Sequence, residues 1–242
     1  MKLRICIPHV ICGANPEASS SVAMGSSDFN QGETRHILVG AAEHWQAQRD
    51  VQLRFLVARG LRPTHHLLDI GCGTLRGGIP LIRFLEPGHY YGIEVRRDVL
   101  EQGREELREQ QLEQKAPVLR LTATLAGVTF PQRFDFIWAF AVLIHMSDGI
   151  ADDCLGLVAR ALAPQGRFYA TVNVSVRAEG KWHGFPVVSR TVAFYEHLAR
   201  AHQLAVTDMG SMRSIRREID GAGADTTRML EFSHGDQRVA SS

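Results

Sequence analysis

Short apolar runs alternate with amphipathic segments along most of the chain. The run His66–Ile70 is bounded by turn signals, and the run that starts at Phe134 is almost wholly apolar. Runs of this kind predict strands that are buried on both faces, as in the centre of a parallel sheet. The other predicted strands have the sequences YYGIEV, PVLRLTATL, RFYATVNV, LAVTDM and TRMLEFS.

Five alternations of strand and helix predict an α/β fold in which helices cover both faces of a doubly wound sheet. The last two strands, from Leu204 and from Thr227, have no predicted helix between them, so they must be antiparallel. We therefore expect a seven-stranded, Rossmann-like, mostly parallel sheet with an antiparallel last strand and an N-terminal helical addition. Ligands of such sheets bind at the carboxyl ends of the strands.

Capping residues and helix breakers set the predicted helix boundaries. A helix is expected from Leu75 to about Leu85, after a glycine-rich stretch. Residues 181–187 and the stretch with Arg213, Arg216 and Arg217 are expected to be loops. The expected N-caps are Asp50, Asp98, Ser147 or Asp148, and Ser189.

One domain with additions at both ends fits the length of 242 residues. Residues 1–28 are expected to be a disordered tail or the product of an upstream start codon. Pro8 and His9 interrupt their signal-like apolar run, and Met24 directly precedes the globular pattern. Residues 29–65 are expected to form helices that act as a lid, residues 66–234 the main domain, and residues 235–242 a second disordered tail.

The charge and the cysteines narrow the choice of partners. With 27 basic against 26 acidic residues, the net charge is +1, which does not favour nucleic acid or an anionic membrane. The four cysteines are scattered, and neither they nor the eleven histidines show zinc-type spacing. The sequence therefore predicts no metal site, no membrane span and a reducing, cytoplasmic location.

The stretch LLDIGCGTLRGG, residues 67–78, places four glycines directly after the first strand. Gly71, Gly73 and Gly77 allow a sharp turn and a close approach of backbone N–H groups to a ligand. Close packing would explain one or two glycines but hardly all four. Their spacing differs from the dinucleotide fingerprint G-x-G-x-x-G. Asp69 would repel a pyrophosphate but suits a cationic amino group. The loop thus predicts a zwitterionic ligand.

Glu94 ends the second predicted strand, 21 residues beyond Gly73. A carboxylate at this place in a doubly wound sheet can accept hydrogen bonds from the hydroxyls of a ribose. A solvated acid at a strand end would need no such role, but the neighbouring glycine loop favours ribose binding. A ligand with both an amino-acid moiety and an adenosine ribose is S-adenosylmethionine, whose demethylated product is S-adenosylhomocysteine.

From Leu53 to Ser233 the sequence resembles the class I S-adenosylmethionine-dependent methyltransferases, in particular their small-molecule branch. The motifs LLDIGCGTLRGG, YYGIEV, FDFIWAFAVLIHM and LAPQGRFYAT carry the resemblance. It implies that the glycine loop holds the methionine part of the cofactor, that the acid holds the ribose, and that the fourth strand's end faces the methyl group. The implied cofactor-binding residues are Asp69, Gly71, Cys72, Gly73, Thr74, Arg76, Gly77, Glu94, Val95, Thr124, Phe140 and Ala141.

Two departures from relatives bear on the substrate. Many members carry an acid or amide after the third strand for the adenine amino group, but LTATLAG offers only Thr122, Thr124 and backbone groups. The fourth strand lacks the Asn/Asp-Pro-Pro-aromatic motif associated with methylation of base amines and glutamine. The resemblance therefore implies methyl transfer to an oxygen or nitrogen of a small molecule, and it disfavours nucleic acid as the acceptor.

His145 lies at the end of the fourth predicted strand, near the expected position of the methyl group. Methyl transfer needs a nucleophile held within about 3 Å of the methyl carbon, and a hydroxyl acceptor would gain from a base such as His145. The alternative is that this histidine only packs under the following helix. The candidate acceptor-binding residues outside the central sheet are Trp45, Arg49, Trp182 and Arg213.

Two other functions share parts of this pattern. A nicotinamide-dependent (NAD(P)-binding) oxidoreductase has the same kind of sheet, glycine loop and acid, but the glycine spacing of this chain differs from the dinucleotide fingerprint. The lysines of this chain are Lys2, Lys115 and Lys181, and none of them completes a Tyr-x-x-x-Lys pair. A non-catalytic protein that binds S-adenosylmethionine would keep DIGCG and Glu94 without turning over an acceptor. No motif identifies the acceptor, the methylated atom or the oligomeric state.

Overall fold

The computed structural model describes residue 38 and residues 45–174, 180–219 and 227–235 of the chain. Outside these residues lie the predicted tail at 1–28, most of the first part of the predicted helical segment 29–65, and the second predicted tail beyond Gly235. No helix in the described part is long and apolar enough to cross a membrane.

Within the described residues, seven strands form one sheet, and two short strands form a separate hairpin. The strands are β1 (Leu67–Ile70), β2 (Tyr90–Glu94), β3 (Val118–Leu121), β4 (Phe134–Ala139), β5 (Leu162–Asn173), β6 (Gly180–Trp182), β7 (Phe185–Val187), β8 (Leu204–Ser211) and β9 (Thr227–His234). The sheet order is β3-β2-β1-β4-β5-β9-β8. Pairs among β1 to β5 are parallel, and β9 is antiparallel to both β5 and β8. The predicted fold class is confirmed.

Helices lie between most of these strands, as the alternation predicted. The α-helices among the described residues are α1 (Trp45–Ala58), α2 (Gly78–Phe84), α3 (Arg97–Glu109), α4 (Asp148–Ala161), α5 (Val192–Ala201) and α6 (Met212–Ile219). Short 3₁₀ helices occupy Glu113–Lys115 and Leu143–His145.

Side-chain caps decide where α4 and α5 begin. Ser147 caps α4 as predicted, because its hydroxyl accepts a hydrogen bond from the N–H of Ile150. The prediction of Ser189 as the cap of α5 is wrong. Thr191 takes this role, and its hydroxyl accepts a hydrogen bond from the N–H of Phe194 at 3.2 Å.

Three other helix starts differ from the prediction. Asp50 lies inside α1, which is one continuous helix, and Asp98 lies in the first turn of α3, whose N-cap is Arg96. The second helix starts at Gly78 and not at Leu75. Leu75 has a φ of 60°, in the left-handed region, which a right-handed helix cannot include.

Successive residues of the central strands pack into two different hydrophobic layers. Leu67 and Trp138 belong to the layer that contains side chains of α1, α2, α3 and α6, whereas Leu68 and Ile137 belong to the layer of α4 and α5. Side chains alternate between the faces of a strand, so both faces of β1 and β4 are buried. This explains why their sequences are almost continuously apolar.

Two segments that were predicted as loops have regular structure. The KWHGFPV segment lies in the β6–β7 hairpin, whose turn residues His183 and Gly184 have φ of 46° and 85°, as in a type I′ turn. The stretch with Arg213 forms α6, because Met212 and Ile215 are buried on one helical face.

Candidate active site

A cavity of about 360 Å³ opens at the carboxyl ends of β1, β2, β3 and β4. The loops after these strands line it, together with Gln52 of α1 and with Trp182 and Phe185 of the hairpin. Ligands of doubly wound sheets bind at this edge. The predicted site residues that line the cavity are Asp69, Gly71, Cys72, Gly73, Arg76, Gly77, Glu94, Val95, Thr124, Phe140, Ala141, His145 and Trp182.

The loop after β1 is held against β2 by backbone hydrogen bonds. The N–H groups of Gly71 and Cys72 donate to the carbonyl oxygen of Ile93 at 2.8 and 3.1 Å. Gly71 and Gly73 have φ of 71° and 59°, in the left-handed region that glycine adopts without a Cβ clash. The shape of the loop therefore requires glycine at these two positions.

Protein side chains occupy the space beside two of the predicted glycines. A Cβ on Gly77 would lie 2.2 Å from Oε1 of Gln52, and a Cβ on Gly71 would lie 2.6 Å from Cγ2 of Val142. Real Cβ atoms are not found at such distances, so a larger residue at either position would require the neighbouring side chain to move. Internal packing accounts for these two glycines, and the case for ligand binding depends on the cavity and not on the number of glycines.

Three backbone N–H groups fix the carboxylate of Glu94 at the end of β2. Its Oε2 accepts from Gly73 at 3.0 Å, and its Oε1 accepts from Val95 and Arg96 at 2.8 and 2.9 Å. A carboxylate has about four acceptor sites, so Oε2 keeps capacity for a hydroxyl donor. The hydrogen bond from Gly73 therefore holds the predicted ribose-binding acid, Glu94, directly against the predicted glycine loop.

Asp69 is a buried carboxyl group with 4% of its surface exposed. The Tyr90 hydroxyl donates a hydrogen bond to its Oδ2 at 2.7 Å. Burial raises the pKa of Asp69 to about 7; the Tyr90 hydrogen bond and the Arg76 charge oppose this rise, and the Glu94 charge adds to it. Asp69 is therefore partly protonated at neutral pH, and a cation beside it would stabilise the ionised form.

His145 lies in the 3₁₀ helix after β4, in contact with the hairpin. Its Nδ1 is 3.0 Å from the carbonyl oxygen of Pro186, and its ring stacks on Trp182 with 5.0 Å between ring centres. A carbonyl oxygen only accepts hydrogen bonds, so Nδ1 carries the proton and Nε2 carries the lone pair. Burial lowers the pKa of His145; the Pro186 bond opposes this, and the Arg96 charge adds to it. The ring is thus neutral at pH 7.

Three predicted residues whose side chains are described, Thr74, Arg49 and Arg213, do not line the cavity. Thr74 is fully buried. Arg49 forms an ion pair with Glu106, with 3.2 Å between Nη1 and Oε1. Arg213 is exposed on α6. The side chains of Trp45, Arg216 and Arg217 lie outside the described part of the chain.

Gln52 is a cavity residue that was not predicted. Its Oε1 accepts a hydrogen bond from Nε1 of Trp138 at 2.8 Å, and its Nε2 donates to the carbonyl oxygen of Gln48 at 2.9 Å. Gln52 is three and four residues before Phe55 and Leu56, which are buried on the same face of α1. A glutamine on an otherwise apolar helix face was the signal for such a buried role.

The cysteines of the described part do not contribute reactive groups. Cys72 and Cys154 are buried free thiols, and burial raises the pKa of both, that of Cys154 to about 12. Thiols in this state stay protonated and are poor nucleophiles. Among the described residues, no group of three or more His, Cys, Asp or Glu side chains could hold a metal ion.

Part of the sequence is similar to known methyltransferases. Residues 68–168 match the family model described as a methyltransferase domain. An uncharacterized methyltransferase of Schizosaccharomyces pombe is 28% identical over 97 residues, which are 38% of this chain and 34% of that protein. The chain matches only about a third of the length of this curated relative.

Two solved structures with the same fold are named as methyltransferases. The magnesium protoporphyrin IX methyltransferase of Synechocystis, with bound S-adenosylmethionine, superposes with a TM-score of 0.60 and 17% identity, covering 87% of each chain. A glycopeptide N-methyltransferase with S-adenosylhomocysteine gives a TM-score of 0.60 and 14% identity, covering 76% of this chain and 89% of that one. Residues 68–168 are therefore similar to a methyltransferase domain, and the chain has the class I S-adenosylmethionine-dependent methyltransferase fold that its sequence resembles.

Proposed function

We propose that the chain is an S-adenosylmethionine-dependent methyltransferase that transfers a methyl group to an oxygen or nitrogen of a small molecule. The main support is the cavity at the strand ends, where the Glu94 carboxylate is tied to the glycine loop next to buried Asp69. The family match, and the neighbours with bound cofactor or product, support the same activity. When bound, S-adenosylmethionine would supply a methyl group activated by a sulfonium.

The cavity residues fit the parts of this cofactor. Oε2 of Glu94 has capacity for a ribose hydroxyl, and Asp69 suits the cationic amino group of the methionine part. Val95 is 46% exposed and offers an apolar surface to the adenine ring. The hydroxyls of Thr122 and Thr124 are engaged in local backbone hydrogen bonds, so adenine recognition would depend on backbone groups and apolar contact.

The acceptor would bind beside His145, whose Nε2 can accept a proton. The net charge of +1 provides no strong field for nucleic acid, and a cavity of about 360 Å³ suits small ligands. The two solved neighbours are named for a porphyrin and a glycopeptide. The free thiols of Cys72 and Cys154 support the cytoplasmic location expected from the composition.

Calorimetric titration of the full chain with S-adenosylmethionine and S-adenosylhomocysteine tests the proposal. We expect dissociation constants on the order of micromolar. Glu94→Gln should weaken binding by about 10- to 100-fold, because a charge-assisted hydrogen bond to the ribose is lost. Glu101→Gln is the matched control, since Glu101 is an exposed acid on α3, and it should bind as the wild type does.

Labelled methyl transfer to a small-molecule extract then separates an enzyme from a binding protein. Cofactor binding without transfer to any acceptor would favour the non-catalytic alternative. A titration with reduced nicotinamide cofactor serves as the negative control, and binding there would favour the oxidoreductase. Failure of the folded wild-type chain to bind S-adenosylmethionine would contradict the proposal.

A further inference from the structure

The part of the cavity beyond the predicted cofactor residues is apolar and aromatic. Trp182 and Phe185 line it from the hairpin, and Met146 and Ile150 line it from the segment after β4. Ile150 is 47% exposed, which is unusual for a large apolar side chain in this protein. Together with His145, these residues form what we call the acceptor end of the cavity. Walls of this composition fit a flat apolar ring.

Nε2 of His145 is the basic atom of the acceptor end. The hydrogen bond from Nδ1 to the carbonyl oxygen of Pro186 sets the tautomer, and the stacking on Trp182 sets the plane of the ring. Both partners belong to the hairpin, so the segment that lines the acceptor end also orients the base. A hydroxyl that reaches Nε2 can transfer its proton there.

A positive charge borders the same wall. The guanidinium carbon of Arg96 lies 5.3 Å from the ring centre of Trp182 and 5.8 Å from that of Phe185, within the range of cation–π contacts. Asp153 also lines the cavity. Burial is the main cause of the lowered pKa of His145, and the charge of Arg96 adds to it. Nε of Arg96 also lies 3.9 Å from Oε1 of Glu94. Beside His145 the positive charge of Arg96 favours an acceptor that becomes an anion over an ammonium.

The acidity of the hydroxyl decides which oxygen this base can serve. A phenol such as the tyrosine side chain has a pKa of about 10, whereas the pKa of an aliphatic hydroxyl resembles that of water and is far higher. The pKa of His145 lies below its ordinary value, and general-base catalysis is efficient only when the two pKa values are close. The difference between the pKa of the acceptor hydroxyl and that of His145 is therefore much smaller for a phenol than for an aliphatic alcohol.

Resting on the methyltransferase function proposed above, we propose that the acceptor is a phenol whose ring lies against Trp182 and Phe185 and whose hydroxyl hydrogen-bonds Nε2 of His145. In the transfer, the phenolic oxygen gives its proton to Nε2 and bonds to the methyl carbon. The bond between that carbon and sulfur breaks, and its electron pair stays on sulfur. The products are an aryl methyl ether and S-adenosylhomocysteine, and the imidazolium returns its proton to water.

Acceptors of matched shape test the assignment with the full chain. They are 2-naphthol, 2-naphthalenemethanol and 2-naphthylmethylamine. One-ring and flavonoid phenols are likewise each compared with an alcohol and an amine of the same shape. We expect kcat/KM for the phenols to exceed that for their partners by about 100-fold or more. His145→Gln should lower kcat by about 100-fold with little change in KM or cofactor affinity. His197→Gln, at an exposed histidine of α5, is the control and should change none of them.

A second readout is independent of turnover. Bound 4-nitrophenol reports its ionisation by its visible absorption, in the presence of S-adenosylhomocysteine. We expect the bound probe to ionise about one pH unit below the free probe, a tenfold larger ratio of phenolate to phenol, and we expect His145→Gln to remove this difference. Trp182→Ala should weaken probe binding by about tenfold, and Trp182→Phe by less.

The two proposals fail in different ways. Preferred transfer to the alcohols or amines, or cofactor binding without binding or methylation of any phenol, would overturn the acceptor assignment and leave the methyltransferase in place. Unchanged ionisation of the probe in His145→Gln would overturn the role given to this histidine. Absence of cofactor binding would contradict the proposed function itself.

Discussion

The two ends of the cavity are built by different means. At the cofactor end, backbone N–H groups of the sheet-edge loops fix the carboxylate of Glu94. At the acceptor end, His145 is fixed by a carbonyl oxygen and an aromatic ring of the hairpin, Pro186 and Trp182. Substitutions at the cofactor end should therefore affect both folding and binding, whereas substitutions at the acceptor end should mainly affect turnover.

The largest expected effect is at the cofactor end, where Asp69→Asn should stabilise the fold in mild alkali. Burial raises the pKa of Asp69 from 3.8 to about 7. Between these two pH values, the folded state holds a proton that the unfolded state has released. The contribution of Asp69 to stability is therefore present below pH 3.8 and is lost as the pH rises towards 7. The loss is on the order of 4 kcal/mol. In urea unfolding at about pH 8, the free energy of unfolding of the variant should exceed that of the wild type. At about pH 4 the two free energies should nearly agree.

Asp98→Asn is the matched control, because Asp98 is exposed in the first turn of α3. It should not reproduce the gain in stability. Asp69→Asn should also weaken binding of S-adenosylmethionine, since it removes the charge that suits the cofactor's amino group. A gain in stability with a loss of binding is typical of a functional site. Equal stability of Asp69→Asn and the wild type at about pH 8 would show that burial does not hold the proton on Asp69.

The next effect in size is that of Gly71→Ala, which should cost about 3 kcal/mol because two penalties add. A φ of 71° strains any L-residue by about 1 kcal/mol. The new Cβ would also lie 2.6 Å from Cγ2 of Val142, which is overpacking worth about 2 kcal/mol. Adding Val142→Ala should recover part of the second penalty in urea unfolding. If the double variant recovers nothing, crowding by Val142 is not the cause.

The cofactor end could largely be predicted from the sequence, because its main determinants are local. An acid that ends a strand and a glycine loop that follows the neighbouring strand must meet at one sheet edge, and Glu94 does accept a hydrogen bond from Gly73. Gln52 could not be placed in the same way. Its contact with Trp138 joins residues 86 positions apart, and no local pattern indicates that Gln52 fills the space beside Gly77.

The acceptor end could be predicted only in part, because tertiary contacts define it. His145 and Trp182 were identified singly, but nothing in the sequence indicates that Pro186, 41 positions after His145, supplies the carbonyl oxygen for its Nδ1. The hairpin itself was missed, since its strands have only three residues each, too few to show an alternation. The turn residues His183 and Gly184 were the available signal.

The smallest expected effect is at the acceptor end, where Gly184→Ala is the counterpart of Gly71→Ala. Gly184 also has a positive φ, 85°, but no described atom lies within 4 Å of the position of a Cβ. The cost should be the backbone strain alone, about 1 kcal/mol, confined to the hairpin. Because the hairpin orients His145, methyl transfer should fall by about fivefold, with unchanged affinity for S-adenosylmethionine in calorimetry. A loss of affinity for S-adenosylmethionine in Gly184→Ala would show that the two ends depend on each other.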